Sequence, residues 1–379
     1  MRIAILGGGP AGLYFGYLWK QRHPRDRVEV LEQNPADATW GFGVVFSDRA
    51  LDLLRQKDRA TADDIAARTQ RWRNMTVALN GDEVTLDGIG FSAIGRLDLL
   101  RLLQQRARSA GVVMRFATRI RTLDELGKAD LIVGADGINS LVRRTFATEF
   151  GASLEVGNNR FAWYGTTRAF ATLTQTFVEA ERGAFTAHHY GYAPDASTFL
   201  IECDAATFDR YGFERVGPEE SRRVCEAIFA DALGGHPLIS NNSVWRRFPW
   251  IRNARWYVGN MVLLGDALHT AHFSIGSGTR LALEDALALN EALERERDLG
   301  QGLARFEAER RPAVEILVAA ARTSAACYER FPQHMRLPLL DFAHAYATRS
   351  GRIGEARLRA MSPAFMARYD AARSAQGPA

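Results

Sequence analysis

Apolar positions along the chain follow two rhythms. Short unbroken apolar runs closed by glycine occur early and late, and long alternating aromatic runs fill the middle. Arg2–Leu6, ended by Gly7, predicts a strand buried on both faces, as in a parallel sheet. Residues 11–21 predict a helix and Arg27–Leu31 a second strand, together one βαβ unit. Helices are expected at 48–56 and 61–68. Positions 73–79 and 83–87 alternate about a turn at Gly81-Asp82, predicting a hairpin. An amphipathic helix over 97–110, a strand over 112–116 and a buried strand over 130–134 follow.

From about Gly151 the rhythm changes. Residues 161–170, 177–192 and 197–204 are long, aromatic and alternating, as in an antiparallel sheet with one solvated face. A helix is expected over 218–233. Positions 256–257 and 261–264 return to the first style, and helices follow at 281–295 and 303–323. The stretch after Thr323 reads as helical, either capping a domain or forming a dimer face; the chain is expected to be a monomer or homodimer. The fold class predicted is α/β: a Rossmann-type domain over 1–70, 96–150 and 256–320. A mostly antiparallel substrate domain over 71–95 and 151–255 interrupts it, and a helical C-terminal segment spans 321–379.

Composition narrows this picture. The chain has 379 residues, 47% of them hydrophobic, enough for a sizeable core. Of its 48 basic residues 45 are arginine. That reflects either genome composition or sites for phosphate and carboxylate, which the planar guanidinium suits. The arginines are scattered, which argues against nucleic acid. Three widely spaced cysteines without CxxC spacing indicate a reducing compartment and no zinc site. Residues 3–19 carry no charge but are interrupted by glycines and a proline, and are shorter than the ~20 residues that span a bilayer. A soluble cytoplasmic protein without membrane contact is expected. The final Ala-Gln-Gly-Pro-Ala reads as a loose tail.

Three motifs carry chemistry. In "GGGPAG", Gly7, Gly9 and Gly12 fit G-x-G-x-x-G after a strand and at a helix start, with Pro10 and Ala11 between them. Such glycines let the backbone approach a pyrophosphate at a helix N-terminus. Glu32, beside Gln33, lies 20 residues after Gly12 at the end of the second strand, where an acid accepts from a ribose hydroxyl. A dinucleotide with a free 2′-hydroxyl, FAD or NAD, is implied. The second motif is "LIVGADGINSLVRR" with Asp136; alone it is equally a strand-to-helix turn capped by Asn139 or Ser140. The third is "GDALHTAHFSIGSGTRLALEDA", with Asp266 after a strand and Gly276, Gly278, Thr279 and Arg280 at a helix start.

Together these motifs, over residues 1–312, resemble the single-component FAD aromatic hydroxylases of the p-hydroxybenzoate hydroxylase type. The resemblance implies that the first motif and Glu32 hold the ADP half of FAD. It places Asp136 near FAD and the transient nicotinamide nucleotide, and Asp266 at the ribityl chain. The last helix then aims its N-terminus at the flavin ring, with Arg96 as a further contact. Phe273 and Arg280 stand where the family usually has proline and asparagine. The stretches "TWGFGVVFSD", "AWYGTT", "STFLIECD" and "AHFSIGSGTRLALEDA" are most similar to salicylyl-CoA 5-hydroxylases and to the hydroxylase half of 2-aminobenzoyl-CoA monooxygenase/reductases. Indole hydroxylases of violacein biosynthesis share "WYGT" and "HFSIG". The chain ends at Ala379, so the stand-alone hydroxylase is the expected counterpart.

The implied activity is a monooxygenase: NAD(P)H as transient co-substrate, molecular oxygen, and a small activated aromatic ring, most specifically an aryl-CoA thioester. No metal is expected. Glu32 belongs to FAD, so it does not choose NADH over NADPH. His188 and Tyr190 in "AHHYGY" share one strand face and are candidates for contacting the ring substituent, or are ordinary sheet packing. His272, next to Phe273, is a third candidate. A tryptophan-derived indole substrate, or a flavoprotein reductase or dehydrogenase, is the alternative.

Overall fold

The computed structural model describes residues 1–376; the last three residues of the predicted tail lie outside them. The first sheet runs Tyr257–Val258, Met261–Leu263, Leu131–Gly134, Arg2–Leu6, Arg27–Leu31, Val113–Arg115. Every neighbour pair is parallel except the Tyr257–Val258/Met261–Leu263 hairpin. Ile3, Ile5, Val30, Leu131 and Val262 are fully buried, as expected where helices cover a parallel sheet. Helix Pro10–Arg22 packs between Arg96–Ala110 and Gly278–Arg295 in that cover.

The second sheet has eight strands. Its main path is Leu238–Ile239, Ala152–Thr166, Ala196–Cys203, Gly183–Ala193, Leu173–Ala180, Met75–Leu79, Asp82–Leu86, and Arg246–Asn253 pairs along Ala152–Thr166. It is antiparallel except where Leu173–Ala180 joins Met75–Leu79. One face packs Phe185, Phe199 and Ile201 against Phe208, Cys225 and Phe229 of the following helices. The other carries Val77, Leu79, Phe177 and Tyr190, partly covered by Tyr328, Phe331, Phe342 and Phe365 of the C-terminal segment. The architecture is thus a Rossmann-type sheet, an inserted mostly antiparallel sheet and a helical C-terminus. A third sheet of Gly43–Ser47, Phe91–Gly95 and Gln70–Trp72 brackets the Met75–Leu79/Asp82–Leu86 hairpin in the chain.

Several boundaries differ from expectation for local reasons. The hairpin turn sits at Asn80-Gly81, both with positive φ, one residue before the expected Gly81-Asp82. The run 177–192 is two strands, Leu173–Ala180 and Gly183–Ala193, because the alternation continues through a two-residue turn. Ala152–Thr166 starts nine residues before the expected strand, since its first half pairs only with Arg246–Asn253 and lacks a buried alternation. The expected 218–233 helix breaks at Phe229 into Pro218–Ile228 and Ala230–Leu233. The helix expected over 303–323 is Leu299–Tyr328, continuing through Pro312.

Candidate active site

The three glycines of the first motif do different work. Gly7 has φ +104°, and a Cβ there would lie 2.2 Å from the Ala135 carbonyl oxygen. A Cβ on Gly12 would lie 2.2 Å from the Gly7 carbonyl oxygen, so the helix can sit this close to the strand only without a side chain. At Gly9 a Cβ would meet nothing, because that backbone faces open space. Gly9 caps helix Pro10–Arg22 without a side-chain cap, Pro10 occupies its first turn, and no acid follows. Free N–H groups and the helix dipole therefore face outward at Ala11 and Gly12, an anion site for a pyrophosphate.

Glu32 stands at the end of Arg27–Leu31, half-buried, with Oε2 accepting from Gly8 N at 2.7 Å and Oε1 from Asn34 N at 2.8 Å. These bonds fix the carboxylate and leave lone pairs for ribose hydroxyls. Gln33 beside it is exposed. Asp136 caps the turn after Leu131–Gly134: Oδ2 accepts from Leu141 N at 2.6 Å, while the buried Oδ1 has no partner among the described residues. Burial raises its pKa against the lowering by Ser140 and Leu141. An orphaned buried acceptor beside the glycine turn fits a ligand hydroxyl.

Asp266 and Arg96 lie close enough for their charges to interact. Asp266 is solvent-accessible and accepts no hydrogen bond among the described residues, yet protein encloses it enough to raise its pKa, opposed by Arg96. Arg96, at the start of its helix, donates its backbone N–H to the Phe42 carbonyl at 2.7 Å. Enclosure lowers its pKa, and Asp266 and Tyr190 act against that. Helix Gly278–Arg295 opens toward this region with no side-chain cap and no acid in its first turn, which holds Thr279 and Arg280. Gly276 has φ +59°, and its Cβ would lie 2.9 Å from Val45 Cγ1 of Gly43–Ser47; a Cβ on Gly278 would meet nothing. Open N–H groups at this second N-terminus suit a flavin edge that gains negative charge on reduction.

Arg280 does not extend freely. Its Nε donates to Glu284 Oε1 at 2.5 Å, Arg310 bonds both Glu284 and Asp285 at 2.8 and 2.9 Å, and His269 Nε2 lies 2.9 Å from Asp285. Asp285 is fully buried, which would raise its pKa, but His269 and Arg310 outweigh burial and hold it below the usual carboxylate range. Asp285 also accepts from Gly265 N, so the network ends at the residue before Asp266.

The three side chains expected at the substrate occupy different situations. His188 is half-buried on the sheet face, its ring 5.4 Å from Tyr190. Burial and then Arg349 push its pKa down to about 4, so the imidazole is neutral at pH 7 and can accept a hydrogen bond. Tyr190 is buried and donates its hydroxyl to the Gly43 carbonyl at 2.9 Å, which holds strand Gly43–Ser47 on the sheet. His272 is also buried, packed among Phe248, Trp250 and Phe273, with Nδ1 accepting from Ser274 N at 3.4 Å. Burial and Arg349 push its pKa to about 3, and it caps the turn Phe273–Ile275. Of the three, His188 is half-buried while Tyr190 and His272 are buried.

Other lining residues were not singled out from sequence. Phe161 and Trp163 share the face of His188 by register, and the Phe161 ring lies tilted against Phe273 with centres 4.9 Å apart. Gly41 and Phe42 lie on Trp163 and Gly165, so the "TWGFGVVFSD" stretch forms a wall of the site. The alternation of Ala152–Thr166 was the available signal; nothing in sequence pairs 39–47 with it.

A family model described as "FAD binding domain" matches residues 127–321. Salicyloyl-CoA 5-hydroxylase of Streptomyces sp is 40% identical over 98% of this chain and 73% of its own length. 3-Hydroxy-4-methyl-anthranilyl-[aryl-carrier protein] 5-monooxygenase of Streptosporangium sibiricum is 37% identical over 93% and 95%. The chain belongs to this FAD-binding family, and it is a flavin-dependent aromatic hydroxylase. Protodeoxyviolaceinate monooxygenase of Chromobacterium violaceum is 30% identical over 92% of the chain and 94% of its own. Among solved structures, 2-methyl-3-hydroxypyridine-5-carboxylic acid oxygenase superposes with a TM-score of 0.71 at 19% identity, covering 95% of this chain and 96% of that one. The hydroxylase uses FAD, with NAD(P)H as co-substrate. Among the described residues no helix is long and apolar enough to cross a membrane.

The two uncapped helix N-termini, the orphaned Asp136 oxygen and the open Asp266 carboxylate all fit FAD. Held by these groups, FAD would supply the redox chemistry, accepting electrons from NAD(P)H and activating oxygen for transfer to an aromatic ring.

Proposed function

We propose that this hydroxylase acts on an aryl-CoA thioester of the salicylyl-CoA kind and inserts oxygen para to the ring hydroxyl. The balance is ring C–H, O2, NAD(P)H and a proton going to ring C–OH, NAD(P)+ and water. What carries the reading is the 40% identity to salicyloyl-CoA 5-hydroxylase along nearly the whole chain. The site supports it: Phe161, Trp163 and Phe273 supply aromatic walls for a ring. His188 supplies a neutral imidazole that accepts a hydrogen bond from the ring hydroxyl and polarises it, which enriches the para carbon. In this reading Gly7, Gly9, Pro10, Ala11, Gly12 and Glu32 hold the ADP half, with Gln33 beside it. Arg96, Asp136 and Asp266 hold the middle of FAD, and Gly276, Gly278, Thr279 and Arg280 surround the ring edge. His188 contacts substrate, while Tyr190 and His272 position the walls.

A second reading, an indole substrate, is favoured by the relative from Chromobacterium violaceum. The test is NADH and NADPH oxidation by the FAD-loaded protein with salicylyl-CoA, free salicylate and tryptophan, with products weighed by mass spectrometry. Acceleration by the thioester with one added oxygen is the expected result. Equal rates with free salicylate, or acceleration by tryptophan alone, overturn the CoA assignment.

A further inference from the structure

The C-terminal segment sends one cation into this site. Arg349 follows helix Leu339–Thr348 and is half-buried. Its Nε donates to Ser324 Oγ at 3.0 Å, Nη1 to the Tyr346 carbonyl at 2.7 Å and Nη2 to the Ser274 carbonyl at 2.6 Å. The guanidinium lies 3.8 Å from the centre of the Tyr346 ring. All these partners are neutral, and no carboxylate pairs with Arg349 among the described residues. Each Nη keeps a second N–H that these bonds do not use.

Its position joins the two halves of the site. Ser274 lies in the turn that leads to Gly276 and Gly278. Tyr346 donates its hydroxyl to Gln175 Oε1 at 3.2 Å, and Gln175 is the cross-strand partner of His188. The guanidinium therefore stands between the flavin-facing turn and the substrate-facing strand. A half-buried cation without a counter-charge favours whatever anion approaches it.

We propose that Arg349 anchors the negative oxygen on the substrate ring, favouring its ionised form while the ring is being hydroxylated. This rests on the aromatic-ring site described above and does not require CoA. The pKa values of His188 and His272 are depressed first by burial and then by this charge, as expected of a cation facing that space.

The test compares FAD-loaded wild type, Arg349→Gln and Arg349→Lys for binding of benzoate and of benzamide, its neutral isostere, followed through the flavin absorption spectrum. Flavin content at 450 nm and the melting temperature are recorded for each variant. Wild type is expected to prefer benzoate by about tenfold; the preference is lost in Arg349→Gln and kept in part by Arg349→Lys. Absence of the preference in wild type, or its survival in Arg349→Gln, overturns the proposal. A lower melting temperature with unchanged preference assigns Arg349 to structure alone. Should Arg349→Gln not hold FAD, Arg349→Lys and wild type still decide, since both must discriminate. If the preference behaves as expected but salicylyl-CoA is not hydroxylated, the substrate assignment falls and the anchor stands.

Discussion

At the scale of single residues, Gly9 and Gly12 separate two reasons for glycine. Gly12→Ala drives a Cβ to 2.2 Å from a backbone oxygen, so the strand and helix must part even without cofactor. Gly9→Ala meets no protein atom, and the backbone there, φ −80° and ψ 179°, accepts alanine. Gly12→Ala is therefore expected to lower the melting temperature of the FAD-free protein. Gly9→Ala should leave it unchanged and weaken FAD binding by tenfold or more. Differential scanning fluorimetry and flavin titration read both; equal effects in the apo protein would refute the distinction. The glycine motif was legible in sequence because it combines strand, turn and acid at fixed spacing. Arg349 was not legible: nothing in a 45-arginine sequence marks which arginine the fold brings between Ser274, Ser324 and Tyr346.

Glu202 belongs to the same scale. It is 2% exposed on the His188 face, Oε1 accepts from Asn159 Nδ2 at 2.7 Å, and Oε2 has no partner among the described residues. Burial pushes its pKa up to about 8, with Asn159 opposing. The folded chain then keeps a proton that the unfolded chain releases above its ordinary pKa of 4.5, so this residue makes stability fall as pH rises from about 4.5 to 8. The loss is on the order of 3 kcal/mol by pH 7. Glu202→Gln, isosteric with the protonated acid, should raise the urea midpoint at pH 8 and change little at pH 4.5. An unchanged pH slope would show that Glu202 is ionised in the fold.

At the scale of elements, two long helices are locked by one buried charge network. Arg310, on Leu299–Tyr328, is 9% exposed and bonds Glu284 and Asp285 of Gly278–Arg295. Removing one partner of a buried pair strands the other charges, which typically destabilises by about 3–5 kcal/mol. Arg310→Met is expected to show a loss of that size by urea denaturation. It should also loosen the first turn around Arg280, seen as weaker FAD binding. Asp285→Asn combined with Arg310→Met should recover part of the stability; strict additivity would deny the coupling. These helices were read from their apolar periodicity, and the parallel strands from their unbroken runs. Gly43–Ser47, Phe91–Gly95 and Gln70–Trp72 escaped because each is short and their partners lie far apart in the chain. That sheet nevertheless places Val45 against Gly276, so part of the site wall depends on pairing that no local pattern encodes.

At the scale of the whole molecule, the C-terminal segment packs on the face of the second sheet that carries Phe177 and Tyr190. It packs Phe331, Phe342 and Tyr346 around Phe177, with ring centres 5.4, 4.7 and 5.7 Å away, and delivers Arg349. One carboxylate fastens its end. Asp87 Oδ1 accepts from Phe365 N at 2.9 Å and Ser362 Oγ at 2.8 Å, and Oδ2 from Ala364 N at 3.2 Å, which satisfies the start of helix Pro363–Gln376. Partial burial would raise the Asp87 pKa, but these bonds outweigh it and lower it. The clasp is therefore complete above the ordinary carboxyl pKa and lost as pH falls through the lowered one. Asp87→Ala removes it at neutral pH, a cap-sized loss of about 1 kcal/mol. The last helix should then be cut faster by trypsin at Arg368 and Arg373. Benzoate binding should weaken as Arg349 loses its support, while flavin content stays at the wild-type level because the FAD side makes no use of Asp87. Loss of flavin in step with proteolysis would mean that the C-terminal helices hold the cofactor domain instead.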